Sequence, residues 1–168
     1  MTLSPRAETM RRRISNPLAF WFWLLVKLPA AWWCGVRLRE ISTGHCVTSV
    51  PYGWRSQNPF RSTYFAALAM AAEMSTGALV LLAAEDAGVP MSTLIIDMKA
   101  SYGKKAAGRA TFRCDGGEAV FRALAEAKAS GEARTVALET VGRLDDGTEV
   151  ARFSFTWSAR MRSTPASG

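Results

Sequence analysis

A chain of 168 residues with 49% hydrophobic and 21% charged side chains can bury one real core but not two comfortable ones. That balance excludes a disordered chain. The net charge of +7 invites an anionic partner, yet no basic run interleaves with aromatics along one element as a base-stacking groove requires. Nucleic acid is therefore not expected, and a solvated positive surface compatible with a nucleotide-bearing ligand is. Three cysteines, Cys34, Cys46 and Cys114, and the single histidine His45 lack the spacing of a zinc site or a disulfide framework. No metal and a reducing, cytoplasmic setting are the expectations. His45-Cys46 is the one adjacent pair with nucleophile chemistry, and it lacks an evident third partner.

Residues 1–16, with Arg6, Arg11, Arg12 and Arg13, read as a flexible basic tail. A single domain is expected over 17–162, and 163–168 read as a flexible C-terminal tail. Residues 17–26, PLAFWFWLLV, imitate a signal peptide behind the arginines. Trp32 and Trp33 stand where a cleavage site prefers small residues, and ten apolar residues cover about 15 Å of helix, half a bilayer core. A helix packed on the domain is expected, with interfacial membrane contact the less favoured alternative.

Segment 35–42 alternates imperfectly, as a strand start does, segment 45–52 is rich in strand formers, and Ser42-Thr43-Gly44 joins them as a hairpin. A loop from Gly53 to Pro59 leads to Ser62, a suitable N-cap, and to a helix over 63–84, TYFAALAMAAEMSTGALVLLAA. That helix is long enough to span a bilayer, but the central Glu73 would cost several kcal/mol there. A helix apolar all round is equally at home inside a soluble fold, and that is the expectation. Gly88 and Pro90 stop it.

Strands follow over 92–102 and 106–114, then a helix over 117–130 closed by Gly131, then a strand over 134–144. Asp145-Asp146-Gly147-Thr148 is tight-turn chemistry. In the last strand Ala151, Phe153, Phe155, Trp157 and Ala159 alternate with polar residues, so one face is buried. Hairpins rather than βα repeats predict an α+β fold, its antiparallel sheet curled around the apolar helix.

Glu73 is the single charge within that helix. A buried carboxylate is expensive, and its pKa rises unless donors surround it. A carboxylate poised near neutrality suits a general base or nucleophile; a structurally paired carboxylate, or one that reaches solvent at the helix edge, is an equal alternative. Asn58 stands fifteen positions earlier. The first turn, from Ser62 to Phe65, offers unpaired N–H groups and the positive end of the helix dipole, which suit an oxyanion. A turn role before Pro59 is the ordinary reading of Asn58.

Asn58, the loop into Ser62, the small-residue helix and Glu73 together resemble the hotdog-fold thioesterases of the phenylacetate-pathway type. The stretch NPFRSTYFAALAMAAEMSTG is most similar to an uncharacterised, thioesterase-like branch of that superfamily. The resemblance runs over roughly residues 20–162, through Ile95-Ile96-Asp97-Met98-Lys99-Ala100-Ser101-Tyr102, the Gly147 turn and Phe155-Thr156-Trp157. It implies a hotdog fold, a curved antiparallel β-sheet wrapped around a long central α-helix, in a homodimer or tetramer with active sites at the subunit interface.

It also implies an acyl-CoA substrate, with no cofactor beyond the coenzyme A that the substrate carries. Glu73 would activate water or attack the thioester, and Asn58 would orient the nucleophile or the carbonyl. Ser62, Tyr64, Phe65 and Ala66 would contact substrate, the N–H groups near Phe65 and Ala66 holding the oxyanion. A non-catalytic acyl-CoA-binding protein on the same fold is the alternative. Two departures stand out. The family's His-Gly-Gly-like helix start is here the bulkier Tyr64-Phe65-Ala66. Members with a Ser or Thr on the next strand carry it near Ile95, where the nearest hydroxyls here are Ser92 and Thr93.

Overall fold

The computed structural model describes residues 2–162; the tail expected over 163–168 lies outside them. Three helices lead in chain order to a hairpin: α1 (Pro5–Ser15), α2 (Pro17–Lys27), α3 (Pro29–Trp33), β1 (Arg37–Ile41) and β2 (Cys46–Val50). The long helix α4 (Phe65–Ala87) follows, then β3 (Met91–Tyr102), β4 (Ala110–Cys114), α5 (Gly117–Ser130), β5 (Arg134–Arg143) and β6 (Glu149–Met161). One six-stranded sheet runs β1-β2-β4-β5-β6-β3, with every neighbouring pair antiparallel. This curved sheet around a long central helix is the hotdog fold.

The sheet closes on α4 because α4 has no polar side to turn outward. Ala67, Ala71, Met74, Ala78, Leu79 and Leu82 are all buried, so the helix is wrapped in protein, as its all-round apolar pattern requires. Its buried hydroxyls are satisfied. Thr48 Oγ1 donates to the Ala71 carbonyl at 2.6 Å, and Ser75 Oγ sits 2.7 Å from the Ala72 carbonyl and 2.8 Å from Thr140 Oγ1. These bonds tie helix to sheet without an orphaned donor. Gly88, at φ 67°, ends α4 in the left-handed region that glycine enters without penalty.

Three expectations need correction. Residues 1–16 are not simply a tail: Pro5–Ser15 form α1, whose Ser4 side chain accepts from the Ala7 N–H and whose Ala7 is buried. The arginines read as solvated charge are organised along this helix. Arg11 and Arg12 both lie 2.8 Å from Glu8, and the Ser4 N–H donates to Asp86 Oδ1 at 2.7 Å, joining α1 to the end of α4.

Ser62 is not the N-cap of α4. Tyr64 occupies that position and makes no side-chain capping bond. Ser62 Oγ accepts instead from the Ala106 N–H at 3.0 Å. Thr63 completes the clasp, its N–H and Oγ1 both donating to the Ala106 carbonyl at 2.8 and 2.9 Å. The same clasp explains the third difference. Residues 106–109 hold the entrance of α4 and do not extend β4, which begins at Ala110.

Candidate active site

Glu73 lies in the middle of α4 and lines a cavity of about 150 Å³. The walls come from four elements: Trp23 and Leu28 at α2 and its exit, Gly77 and Leu81 on α4, Thr93 on β3 and Trp157 on β6. Burial alone pushes the Glu73 carboxyl up to about 7; no side-chain donor or cation offsets it among the described residues. Without a partner, a desolvated carboxylate holds its proton longer. Glu73 is therefore an unpaired acid in an apolar hollow, not half of a structural ion pair.

Two neighbours shape this hollow. Gly77, one turn beyond Glu73, leaves room for the carboxylate: a Cβ there would stand 2.7 Å from Glu73 Oε1 and 3.4 Å from the Trp157 ring. Trp157 is fixed by its indole N–H, which donates to Thr76 Oγ1 at 3.1 Å, while Thr76 Oγ1 donates to the Glu73 carbonyl at 2.9 Å. The β3 hydroxyl facing the cavity is that of Thr93. A register irregularity between Ile95 and Asp97 interrupts the strand just beyond it.

The helix start builds a second cavity, of about 450 Å³, lined by Asn58, Ser62, Tyr64, Phe65, Tyr102 and the consecutive Lys104 and Lys105. Asn58 Oδ1 accepts from the N–H groups of Phe60 and Ser62 at 3.0 and 3.2 Å. That turn holds Arg61 at φ 57°, where few side chains are at ease. The Asn58 carbonyl oxygen thus shapes the loop, and its amide N–H₂ is the end left for other work. At the head of α4 the first N–H groups to bond back are those of Ala67 and Leu68, both to the Tyr64 carbonyl, so those of Phe65 and Ala66 remain donors without a turn behind them.

Within one chain these halves stay apart. Asn58, Ser62, Tyr64 and Phe65 line the larger cavity and Glu73 the smaller, and the two share no lining residue. Gly77, Thr76 and Trp157, which shape the hollow around Glu73, are not among the candidates the sequence singles out. A glycine one turn after the only charge in the helix expected over 63–84 was the available signal. His45 and Cys46 do not form a reactive pair. His45 Nδ1 lies 3.0 Å from Ser42 Oγ, its Nε2 lies 2.8 Å from Glu40 Oε1, and burial pushes the Cys46 thiol far up.

Residues 19–159 match the family described as a domain of unknown function, DUF4442. The chain belongs to that family. No curated protein matches this DUF4442 chain in sequence. Among solved structures it is similar to a Pseudomonas aeruginosa protein of unknown function named a probable thioesterase, with TM-score 0.72 and 20% identity over 95% of this chain and 99% of that one. A Chlorobaculum tepidum protein of unknown function gives TM-score 0.76 at 12% identity, over 94% and 98%. A Haemophilus influenzae thioesterase gives TM-score 0.60 at 12% identity, over 96% and 93%. At these identities the DUF4442 chain shares their fold.

Proposed function

We propose that this chain is an acyl-CoA thioesterase of the phenylacetate-pathway type, working as a homodimer in the cytoplasm. The observation that carries the reading is Glu73, an unpaired carboxyl held near pH 7 beside a cavity. A base with that pKa is about half ionised at neutral pH, and its ionised form accepts a proton far more readily than an ordinary carboxylate. Its ionised form takes a proton from water as the oxygen attacks the thioester carbonyl carbon. The tetrahedral oxyanion is met by the N–H groups of Phe65 and Ala66, with the Asn58 amide donating alongside. Collapse breaks the C–S bond, and the proton held by Glu73 goes to the departing thiolate.

The separation of the two cavities is the reason for a dimer. β3 is an edge strand with Leu94, Ile96 and Met98 exposed along it, and an unpaired edge is a template for another strand. Antiparallel pairing of two β3 strands would bring Glu73 of one protomer toward the helix start of its partner. Lys104 and Lys105 at the rim of the larger cavity suit the phosphates of coenzyme A. The names carried by the structural relatives favour the same chemistry.

A non-catalytic acyl-CoA-binding protein is the alternative, favoured by the exposed Tyr64 and Phe65 crowding the helix start. Hydrolysis of a panel of acyl-CoA thioesters by wild type and Glu73→Ala separates the two. Turnover lost in the variant supports the enzyme. Binding without turnover in both supports the carrier.

A further inference from the structure

Helix α2 is apolar on both sides. Phe20 and Leu24 are buried against the domain, while on the opposite face Leu18 and Val26 are 73% and Phe22 60% exposed. At 100° per residue, Leu18, Phe22, Leu25 and Val26 share that outward face with Trp21. The aromatic surface continues beyond the helix. Trp21 packs edge-on against Phe22 and Trp32 at 4.9 and 5.2 Å, and the exposed Trp33 packs against the exposed Trp54 at 6.2 Å. A monomeric surface rarely leaves such a patch uncovered.

The charge around the patch selects what covers it. Between Glu8 and Glu40 the chain has no acidic residue and six cations; Arg11 and Arg12 pair with Glu8, which leaves Arg13, Lys27, Arg37 and Arg39. Arg6, Arg13 and Lys27 converge with Trp23 and Ile14 on a groove of about 860 Å³ between α1 and α2. Among the described residues only Glu85 brings a negative charge to its lining. Tryptophan and phenylalanine beside arginine and lysine suit the boundary between headgroups and acyl chains.

We propose that the outward face of α2 docks on an anionic phospholipid bilayer, with Leu18, Phe22, Leu25 and Val26 entering the acyl boundary and the long side chains of Arg13 and Lys27, at the two ends of α2 on its α1 side, reaching lipid phosphates. α2 would lie in the interface plane, since eleven residues are too few to cross it. Trp23 lines both the α1–α2 groove and the Glu73 cavity, so the docked helix is also a wall of the candidate site. Docking itself does not depend on the hydrolase reading.

The test is sedimentation of the purified full chain with vesicles of equal parts phosphatidylglycerol and phosphatidylcholine, against pure phosphatidylcholine. Binding to the anionic vesicles that weakens with added salt is the expected result. Leu18→Asp with Val26→Asp should abolish it, with circular dichroism unchanged because both side chains face solvent. Arg13→Glu with Lys27→Glu should weaken it about tenfold or more. Three outcomes overturn the proposal: no binding by wild type, equal binding to both vesicle types, or unchanged binding by the aspartate pair. A fourth is an aspartate pair that halves the particle mass in light scattering while wild type ignores vesicles, which would make the face a contact between copies of this chain.

Discussion

The carboxylate of Glu73 lies over Gly77, where a Cβ would stand 2.7 Å from Glu73 Oε1. The glycine is a space left for the acid. It also costs α4 about 1 kcal/mol of helix propensity relative to alanine.

Gly77→Ala should therefore separate stability from activity. The obstructed atom is the end of a mobile side chain, so the carboxylate moves and the backbone stays. The melting temperature should hold or rise, while kcat/KM for an acyl-CoA thioester falls on the order of 100-fold from misplacement of the base. Calorimetry and steady-state kinetics on one preparation check both halves. A loss of stability with normal kcat/KM would mean the glycine serves packing.

Burial of Glu73 should also show in stability against pH. Below about pH 4.5 the carboxyl is protonated whether the chain is folded or not. As pH rises from 4.5 to about 7, the unfolded chain releases a proton that the folded chain still holds, so stability falls across that window. Above 7 the deficit is constant, at most roughly 3 kcal/mol. Glu73→Gln removes this dependence and should be the more stable protein above pH 7. Denaturant unfolding of both proteins at several pH values checks the sign.

Much of this was legible beforehand. The alternation from Ala151 to Ala159 marked β6, and Gly88 and Gly131 marked two helix ends. The lone Glu73 marked the candidate site. What escaped depended on partners far along the chain. Ser62 has the chemistry of a cap, but Ala106, forty-four positions away, takes its oxygen. Arg11 and Arg12 looked like tail charges because their pairing with Glu8 exists only once Ser4 has started a helix. Gly77 looked like an ordinary small residue because its neighbour Trp157 arrives from another strand.

The hairpin between β1 and β2 meets α5 with no room to spare. A Cβ at Gly117 would stand 2.1 Å from the Thr43 carbonyl oxygen and 2.7 Å from the Gly44 carbonyl carbon, and the Gly117 N–H donates to the Gly44 carbonyl at 3.0 Å. Backbone cannot swing aside as a side chain does. Gly117→Ala should cost about 3 kcal/mol, read as a lower denaturant midpoint at unchanged m-value.

The edge of β3 should govern assembly. Leu94→Lys with Ile96→Lys places two charges on side chains that are more than half exposed in the single chain, so the fold should survive. Light scattering should report monomer for the variant and dimer or tetramer for wild type. Turnover should fall at least about 100-fold, because Glu73 would lose the helix start that faces it. A dimeric, active variant would place the contact elsewhere.

The central claim is that Glu73 acts as an ionised base, and the pH profile of kcat/KM for an acyl-CoA thioester tests it most directly. Activity should rise through an apparent pKa of about 7 to a plateau, with Glu73→Gln losing nearly all activity at every pH. Wild-type turnover flat across that range, or a glutamine variant as active as wild type, would contradict it.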